Sequence, residues 1–310
     1  MIVSWNVRPL LERCLASILL RVDSSRNDCE IIVVDNASTD DSVQVVARRF
    51  PTVKLIAAER NLGFARGNNV GLGQATGTYL LLLNPDTEVV GTALSSMVDY
   101  MEAHPDIGVL GPRLLFPDGR TQPSRRRFPT LATALVESTV VQQWFPNMPM
   151  LRTYYVQDRS DDQEQDVDWL VGACLLVRRQ AWEQVGPLDE QFFMYSEELD
   201  WCRRFKMSGW RVAYFPDAQI IHHEGQSSGQ VAPARHIYFQ TSKVQYFRKH
   251  HGPLVGEALR IYLLFIYAYQ LGLEVAKWLV GHKRPLRRER IQAYRQVLRS
   301  GLRPSTGAQS

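Results

Sequence analysis

The stretch Tyr79–Val90, YLLLLNPDTEVV, decides the fold. Four consecutive leucines, Leu80 to Leu83, run directly into the polar Asn84-Pro85-Asp86-Thr87. An apolar run this short, without alternation, reads as a strand buried on both faces in the centre of a mostly parallel sheet. Ligands of open α/β sheets settle beyond the carboxyl ends of the strands, and here that position holds a carboxylate fixed behind a proline. Asp86 is therefore a candidate metal ligand, the competing reading being a turn that caps a following helix.

Working outward, Glu30–Val34 (EIIVV) is a second buried strand ending in Asp35-Asn36-Ala37-Ser38-Thr39-Asp40, and a helix capped by Ser38 or Asp40 follows. Leu10–Leu20 has helical spacing, Lys54–Ile56 is a third strand, and a helix is expected over Thr92–Ala103, then a strand at Ile107–Leu110. Phe116-Pro117-Asp118-Gly119 supplies hairpin chemistry. The opening Met1-Ile2-Val3-Ser4-Trp5-Asn6 reads as the end of a strand that starts abruptly, without a signal peptide, which suggests a truncated start.

From Arg125 to Asp166 the pattern weakens, and the polar run Gln157–Asp166 is expected to be a mobile loop. Val167–Val177 is a strand interrupted at Gly172-Ala173. In the run FFMYSEELDWCRR (Phe192–Arg204), Ser196 is the expected N-cap of a helix whose first turn carries Glu197 and Glu198, both kept ionised by the helix dipole. Val212–Phe215 and Gln219–His223 read as two short strands around a Pro216-Asp217 turn, and the second ends on a pair of histidines.

With 310 residues, 45% hydrophobic and 22% charged, the chain can bury a full core and is too apolar for disorder. Four cysteines without CxxC spacing read as reduced thiols, not as a zinc site or a disulfide framework. The net charge is +4, yet eight of the 36 basic residues lie from Lys283 onward beside a single acid, Glu289, leaving 28 basic against 31 acidic residues before them. A slightly acidic body with a basic tail suggests an anionic partner surface. Leu254–Val280 is a long helical stretch whose uncharged part, Ile261–Leu273, is too short to span a bilayer of about 30 Å. It is expected to lie on a membrane through Tyr262, Tyr267, Tyr269 and Trp278, with a homodimer interface as the competing reading. No module for nucleic-acid binding is present.

Seven segments together resemble the inverting family-two glycosyltransferases of the GT-A fold, in their rhamnosyltransferase-like branch. They are VSWN (3–6), EIIVVDNASTDDS (30–42), NLGFARGNN (61–69), LLLLNPDT (80–87), WLVGACLLVRR (169–179), DEQFFMYSEELDWCRR (189–204) and IIHHEGQSS (221–228). The resemblance implies an α/β, Rossmann-like, mostly parallel sheet flanked by helices. The glycosyltransferase domain would cover 1–250, with a nucleotide half at about 1–120, an acceptor-side half at about 165–250, and a helical tail at 251–310. It further implies transfer from a dTDP- or UDP-linked sugar to a glycan or polyprenyl-linked acceptor in polysaccharide synthesis, in the cytoplasm and at the inner face of the membrane.

By match, Asp35 and Asn36 face the donor base, Arg66 lies near base and diphosphate, and Asn84 and Asp86 stand at the ends of the metal-binding DxD motif. His222 is the later metal ligand, for Mn²⁺ or Mg²⁺. Trp169, Gly172 and Ala173 line the acceptor side. Glu198 is the base by position, although Glu197-Glu198 departs from the family's usual Glu-Asp or Asp-Asp.

Overall fold

The computed structural model describes residues 1–21, 29–223 and 232–303. The end of the last motif, 224–228, lies outside them. Two compact units are present: residues 1–128, 155–193 and 197–227 form the first, and residues 129–154, 194–196 and everything from 228 onward form the second.

In the first unit β1 (Ile2–Ser4) leads through α1 (Arg8–Arg21) to β2 (Ile32–Asp35), α2 (Ser42–Arg49), β3 (Lys54–Ala57) and α3 (Phe64–Leu72). These three strands pair in parallel in the order β1-β2-β3. β1 and β2 are buried along their whole length, as unbroken apolar runs require. Leu11, Cys14, Leu15 and Ile18, at helical spacing, bury one face of α1.

Next come β4 (Tyr79–Leu83), β5 (Thr87–Val89), α4 (Ala93–Ala103), β6 (Ile107–Leu115), β7 (Thr121–Gln122) and β8 (Arg125–Arg126). Three short helices, α5 (Leu131–Val136), α6 (Val140–Trp144) and α7 (Pro149–Tyr154), belong to the second unit. The chain returns to the first with β9 (Gln165–Asp166), β10 (Trp169–Leu170), β11 (Cys174–Arg178), α8 (Arg179–Val185), α9 (Glu197–Met207) and β12 (Arg211–His222).

A seven-stranded sheet has the order β4-β11-β6-β12-β5, with β7 on β6 and β9 on β12. β4 lies between two neighbours: Met1 bonds to Leu81 and Leu83 across from β1, and β11 pairs with it on the other side. The organising strand is thus central, but the sheet is mixed. Among the described residues the parallel pairs are β1-β2, β2-β3 and β6-β12, whereas β11 runs antiparallel to both β4 and β6. Burial pattern reports how deep a strand lies and not its direction, so the sequence could not distinguish the two arrangements.

Three further expectations change. Val212–Phe215 and Gln219–His222 are one strand, β12, whose register on β6 shifts between Phe215 and Gln219. A bulge releases a ladder position, which is where Pro216, lacking an N–H, can sit inside a strand. The run Gln157–Asp166 is tied down: Arg113 donates to the Asp161 carbonyl (2.7 Å), Arg125 to the Ser160 carbonyl (2.8 Å) and Tyr214 to the Asp161 carbonyl (2.9 Å). Arg125 also pairs with the Asp161 carboxylate. And Ser196 is not an ordinary N-cap; it and Tyr195 hold φ of 63° and 71°, outside the extended region that a capping residue adopts.

In the second unit α10 (Ala232–His251), α11 (Pro253–Leu279) and α12 (Arg284–Ser300) pack on one another. α11 is a single helix of 27 residues, apolar enough, with a mean hydropathy of 1.3 over its best 18 residues, to cross a membrane by length and composition. The short uncharged stretch read from sequence therefore understates it. Glu274, just beyond that uncharged part, is buried against Arg287 of α12 at 2.7 Å. Of the four aromatics, Tyr269 and Trp278 are exposed, while Tyr267 is buried and Tyr262 donates to the Leu135 carbonyl (2.9 Å).

Candidate active site

The loops after β1 and β2 are laced together. The Asn6 amide donates to Ser38 Oγ (3.0 Å), Thr39 N to Asn6 Oδ1 (2.7 Å) and Arg8 N to Asp40 Oδ2 (2.8 Å). Asp40, not Ser38, serves the start of α2, through the Ser42 amide at 3.3 Å. This frame fixes Asp35 at the end of β2. Asp35 is 2% exposed; its Oδ2 accepts from Ser38 N (2.8 Å), whereas its Oδ1 is buried without a partner. A buried acceptor left open costs about 1–3 kcal/mol, which a ligand N–H would recover. Asn36 is used differently: it donates to the Gly63 carbonyl (3.0 Å) and accepts from Leu62 N (3.3 Å), so it holds the loop before α3. Gly63 is required there, with φ 79° and an added Cβ only 2.4 Å from the Phe193 carbonyl. Arg66 on α3 is half exposed and faces Glu190 at 3.8 Å.

The turn after β4 does not cap a helix, since Thr87 begins β5. β5 pairs antiparallel with β12, Thr87 opposite His222, and the His223 amide donates to the Asp86 carbonyl (2.9 Å). That pairing brings together two residues 136 positions apart: His222 Nε2 lies 3.4 Å from Asp86 Oδ1, with both side chains buried. On its other edge, His222 Nδ1 contacts Gln122 Oε1 at 2.8 Å. The amide oxygen can only accept, so Nδ1 donates to it, and Nε2 is the nitrogen that faces Asp86. A carboxylate oxygen and an imidazole nitrogen so aligned suit a divalent cation. No third His, Cys, Asp or Glu joins them among the described residues, so the remaining positions would fall to ligand oxygens or water. Asn84 Oδ1 is a further buried acceptor without a partner.

The Asn84 amide donates to the Ala173 carbonyl (2.9 Å), which joins this turn to the break between β10 and β11. Gly172 in that break lies against Glu198: a Cβ built on it would meet Glu198 Cβ at 3.5 Å. Both acids at the start of α9 have buried oxygens without partners, Glu197 Oε2 and Glu198 Oε2. Burial pushes the Glu198 carboxyl above its ordinary range, opposed by backbone N–H groups including that of Gly172 and by the charge of Arg126. Burial pushes Glu197 further up, and the neighbouring Glu198 adds to it. Desolvation thus opposes the helix dipole at both acids. Trp169 donates from Nε1 to the Arg127 carbonyl (2.9 Å) and packs in β10 opposite Arg126.

Thus the sheet joins Asn84, Asp86, His222, Gly172, Ala173 and Glu198 through direct contacts, while Asp35 stands in its own frame and Arg66 on the rim. Sequence reasoning missed Gln122 and Arg126. Gln122 sits on a two-residue strand, and only the β6–β7 hairpin turns it toward His222.

Residues 1–186 match the family model described as glycosyl transferase family 2. The chain belongs to this family. It is 35% identical to the N-acetylglucosaminyl-diphospho-decaprenol L-rhamnosyltransferase of Mycobacterium tuberculosis over 246 residues, 76% of this chain and 78% of the relative. It is 28% identical to the rhamnosyltransferase WbbL of Escherichia coli over 171 residues, 52% of this chain and 61% of that one. Among solved structures it resembles a mannosyltransferase from Pyrobaculum calidifontis in complex with GDP-Man and Mn²⁺ (TM-score 0.55, 17% identity, 97% and 83% of the two chains). It also resembles GalNAc-T7 with UDP, GalNAc and Mn²⁺ (TM-score 0.57, 15% identity, 80% and 46%). The family-two transferase accordingly has the GT-A fold, with a mixed central sheet flanked by helices and a C-terminal helical region.

Proposed function

We propose that this family-two enzyme is an inverting, divalent-cation-dependent rhamnosyltransferase acting on a polyprenyl-diphosphate-linked sugar. The observation that carries the chemistry is Glu198 at the start of α9, half-buried, with its Oε2 buried and unpartnered and its side chain set against Gly172, whose neighbour Ala173 bonds to the turn that presents Asp86. The donor would be a dTDP- or UDP-linked sugar, for which the open Oδ1 of Asp35 offers the acceptor that a pyrimidine N3–H needs. The rhamnosyl and lipid-linked parts rest on the relative 35% identical to this chain.

Asp86 Oδ1 and His222 Nε2 would hold the cation, Mn²⁺ or Mg²⁺, with Gln122 fixing the histidine tautomer. When bound, such an ion neutralises charge on the departing diphosphate. Glu198 takes the proton of the acceptor hydroxyl as its oxygen bonds to the anomeric carbon. The bond from that carbon to the diphosphate oxygen breaks, and its electron pair leaves with the nucleotide. A single displacement needs one base and no enzyme nucleophile, so Glu197 has no proton to take.

The tail supports a location on the cytoplasmic face of the membrane. Leu254, Ile261, Phe265 and Leu279 form an exposed apolar stripe on α11, and Tyr269 and Trp278 are exposed on the same helix. One face of α11 is already buried within its unit through Leu259, Leu263 and Ile266, which favours lying on a bilayer over spanning it.

A binding protein without catalysis is the alternative reading. It would keep Asp35 but has no use for two acids buried with open oxygens. The test is incubation with dTDP-rhamnose, Mn²⁺ and a short-chain prenyl-diphosphate-linked N-acetylglucosamine, with the anomeric configuration of the product read by NMR. An inverted linkage is expected. Nucleotide binding without product from any donor would favour the alternative.

A further inference from the structure

The carbonyls of residues 185–188 all accept from side chains. α8 ends there, because Gly186 turns the chain at φ 85° and Pro187 brings no N–H to continue a helix. From α9, Arg204 Nη1 donates to the Val185 carbonyl (3.0 Å), Trp201 Nε1 to that of Gly186 (2.9 Å) and Arg204 Nη2 to that of Pro187 (2.7 Å). From α3, Asn69 Nδ2 donates to the Leu188 carbonyl (2.8 Å), and Asn69 Oδ1 accepts from Leu188 N (3.0 Å). Asn69 therefore closes on Leu188 as a paired strand residue would. Pro187 is exposed, so water could serve its carbonyl; Arg204 serves it instead. Arg204 is itself set by the buried Asp200, which accepts from its Nε (2.9 Å). A planar guanidinium bonded at all three nitrogens cannot turn without breaking one of these contacts.

These bonds join two helices that carry different parts of the proposed chemistry. α3 follows the Gly63 loop that Asn36 holds, and it carries Arg66; α9 opens with Glu197 and Glu198. Glu198 and Trp201 lie on successive positions of one helical turn, so any slide or rotation of α9 moves the base with its anchors. A second tie runs the same way: Phe64 N, at the start of α3, donates to the Phe193 carbonyl (2.7 Å).

We propose that Asn69 and Arg204 are positioning residues for Glu198: through residues 185–188 they lock α9 to α3, and so set the base at the distance from the bound donor that displacement requires. The inference rests on the transferase reading above and on Glu198 as its base. Both side chains act by placement, where an error of about 1 Å can cost about 10²-fold in rate.

The test combines Asn69→Ala, at a half-buried site, with Glu198→Gln in the full chain, assayed with dTDP-rhamnose, Mn²⁺ and the short-chain prenyl-diphosphate-linked acceptor. Asn69→Ala alone should lower kcat by about 10- to 100-fold, with the KM for donor and the urea midpoint near those of the wild type. In the Glu198→Gln background the same substitution should leave kcat within about twofold, because an absent base cannot be misplaced. Arg204→Lys keeps a charge beside Asp200 but loses the fork, and it should behave likewise. The Asn69→Ala, Arg204→Lys double variant should fall no further than the worse single one. Losses that multiply in either pair, or a wild-type kcat in Asn69→Ala, would overturn the positioning role, while transfer by the wild type upholds the transferase reading. Amide hydrogen exchange tests the lock without the reaction. Faster exchange at Trp201–Phe205 in Asn69→Ala, beside a wild type that transfers nothing, supports the lock and overturns the transferase reading. Unchanged exchange there overturns the lock whatever the activity.

Discussion

Gln122 Oε1 lies 2.8 Å from His222 Nδ1, and this contact orients the imidazole edge that faces Asp86. Removing such a partner typically costs roughly 10- to 100-fold in metal affinity. Gln122→Ala should weaken Mn²⁺ binding by that factor, as free Mn²⁺ measured by electron paramagnetic resonance, without unfolding the protein. His222→Ala should weaken it more. If His222→Ala binds Mn²⁺ as the wild type does, the cation is held elsewhere.

For the base, placement matters more than strength, because the acceptor hydroxyl is far less acidic than any carboxyl group. Glu198→Gln keeps the shape and removes the proton acceptor, so turnover should fall by about 10² to 10⁴ with near-normal donor affinity. Glu197→Gln should be milder. A dead Glu197→Gln beside an active Glu198→Gln would move the base by one residue.

The two acids also predict a pH signature. Glu197 has a folded pKa well above 4.5, so the folded protein holds a proton that the unfolded chain releases. Its stabilising contribution is complete below the unfolded pKa and is lost as pH rises through the folded one, at up to about 1.4 kcal/mol per pH unit inside that window. Glu197→Gln should flatten this decline in urea melts taken from pH 4.5 upward. Activity has the same direction of titration but the opposite consequence: Glu198 must lose its proton to act, so turnover should climb as pH rises through its elevated pKa. A Glu197→Gln melt that declines as steeply as the wild type would assign the effect to another group.

The membrane reading predicts that Ile261→Ser with Phe265→Ser, at sites 57% and 67% exposed, abolishes pelleting with vesicles containing anionic lipid and leaves the melting temperature within a few degrees. A wild type that is dimeric without lipid affinity, and that these changes convert to a monomer, would give the stripe to a second copy instead.

Much of this was legible in the chain. Buried runs such as Ile32–Asp35 and Leu80–Leu83 give strands whatever their direction, because an apolar run without alternation has only one kind of place to go. Asp86, His222 and Glu198 were legible because strand ends and a helix start mark the edge of a sheet. Gln122 and Arg126 were not, since two-residue strands carry no periodicity and their neighbours come from pairing at a distance. Nor was the upward shift of the Glu197 and Glu198 carboxyls: spacing locates a helix terminus, but only the surrounding packing says how dry it is. Glu274 and Arg287 close on each other inside a helix pair, a contact that no local pattern encodes.

The anchoring of residues 157–166 has a thermodynamic consequence. Tyr155, just before that run, and Gln157, at its start, help line a cavity of about 270 Å³ beside His222, and Arg113, Arg125 and Tyr214 already hold the following residues in place. A ligand entering there meets a wall that is assembled beforehand, so the entropy of ordering a loop is not charged to association. Its binding heat capacity should match the small area covered, without the excess that marks a segment folding around its guest.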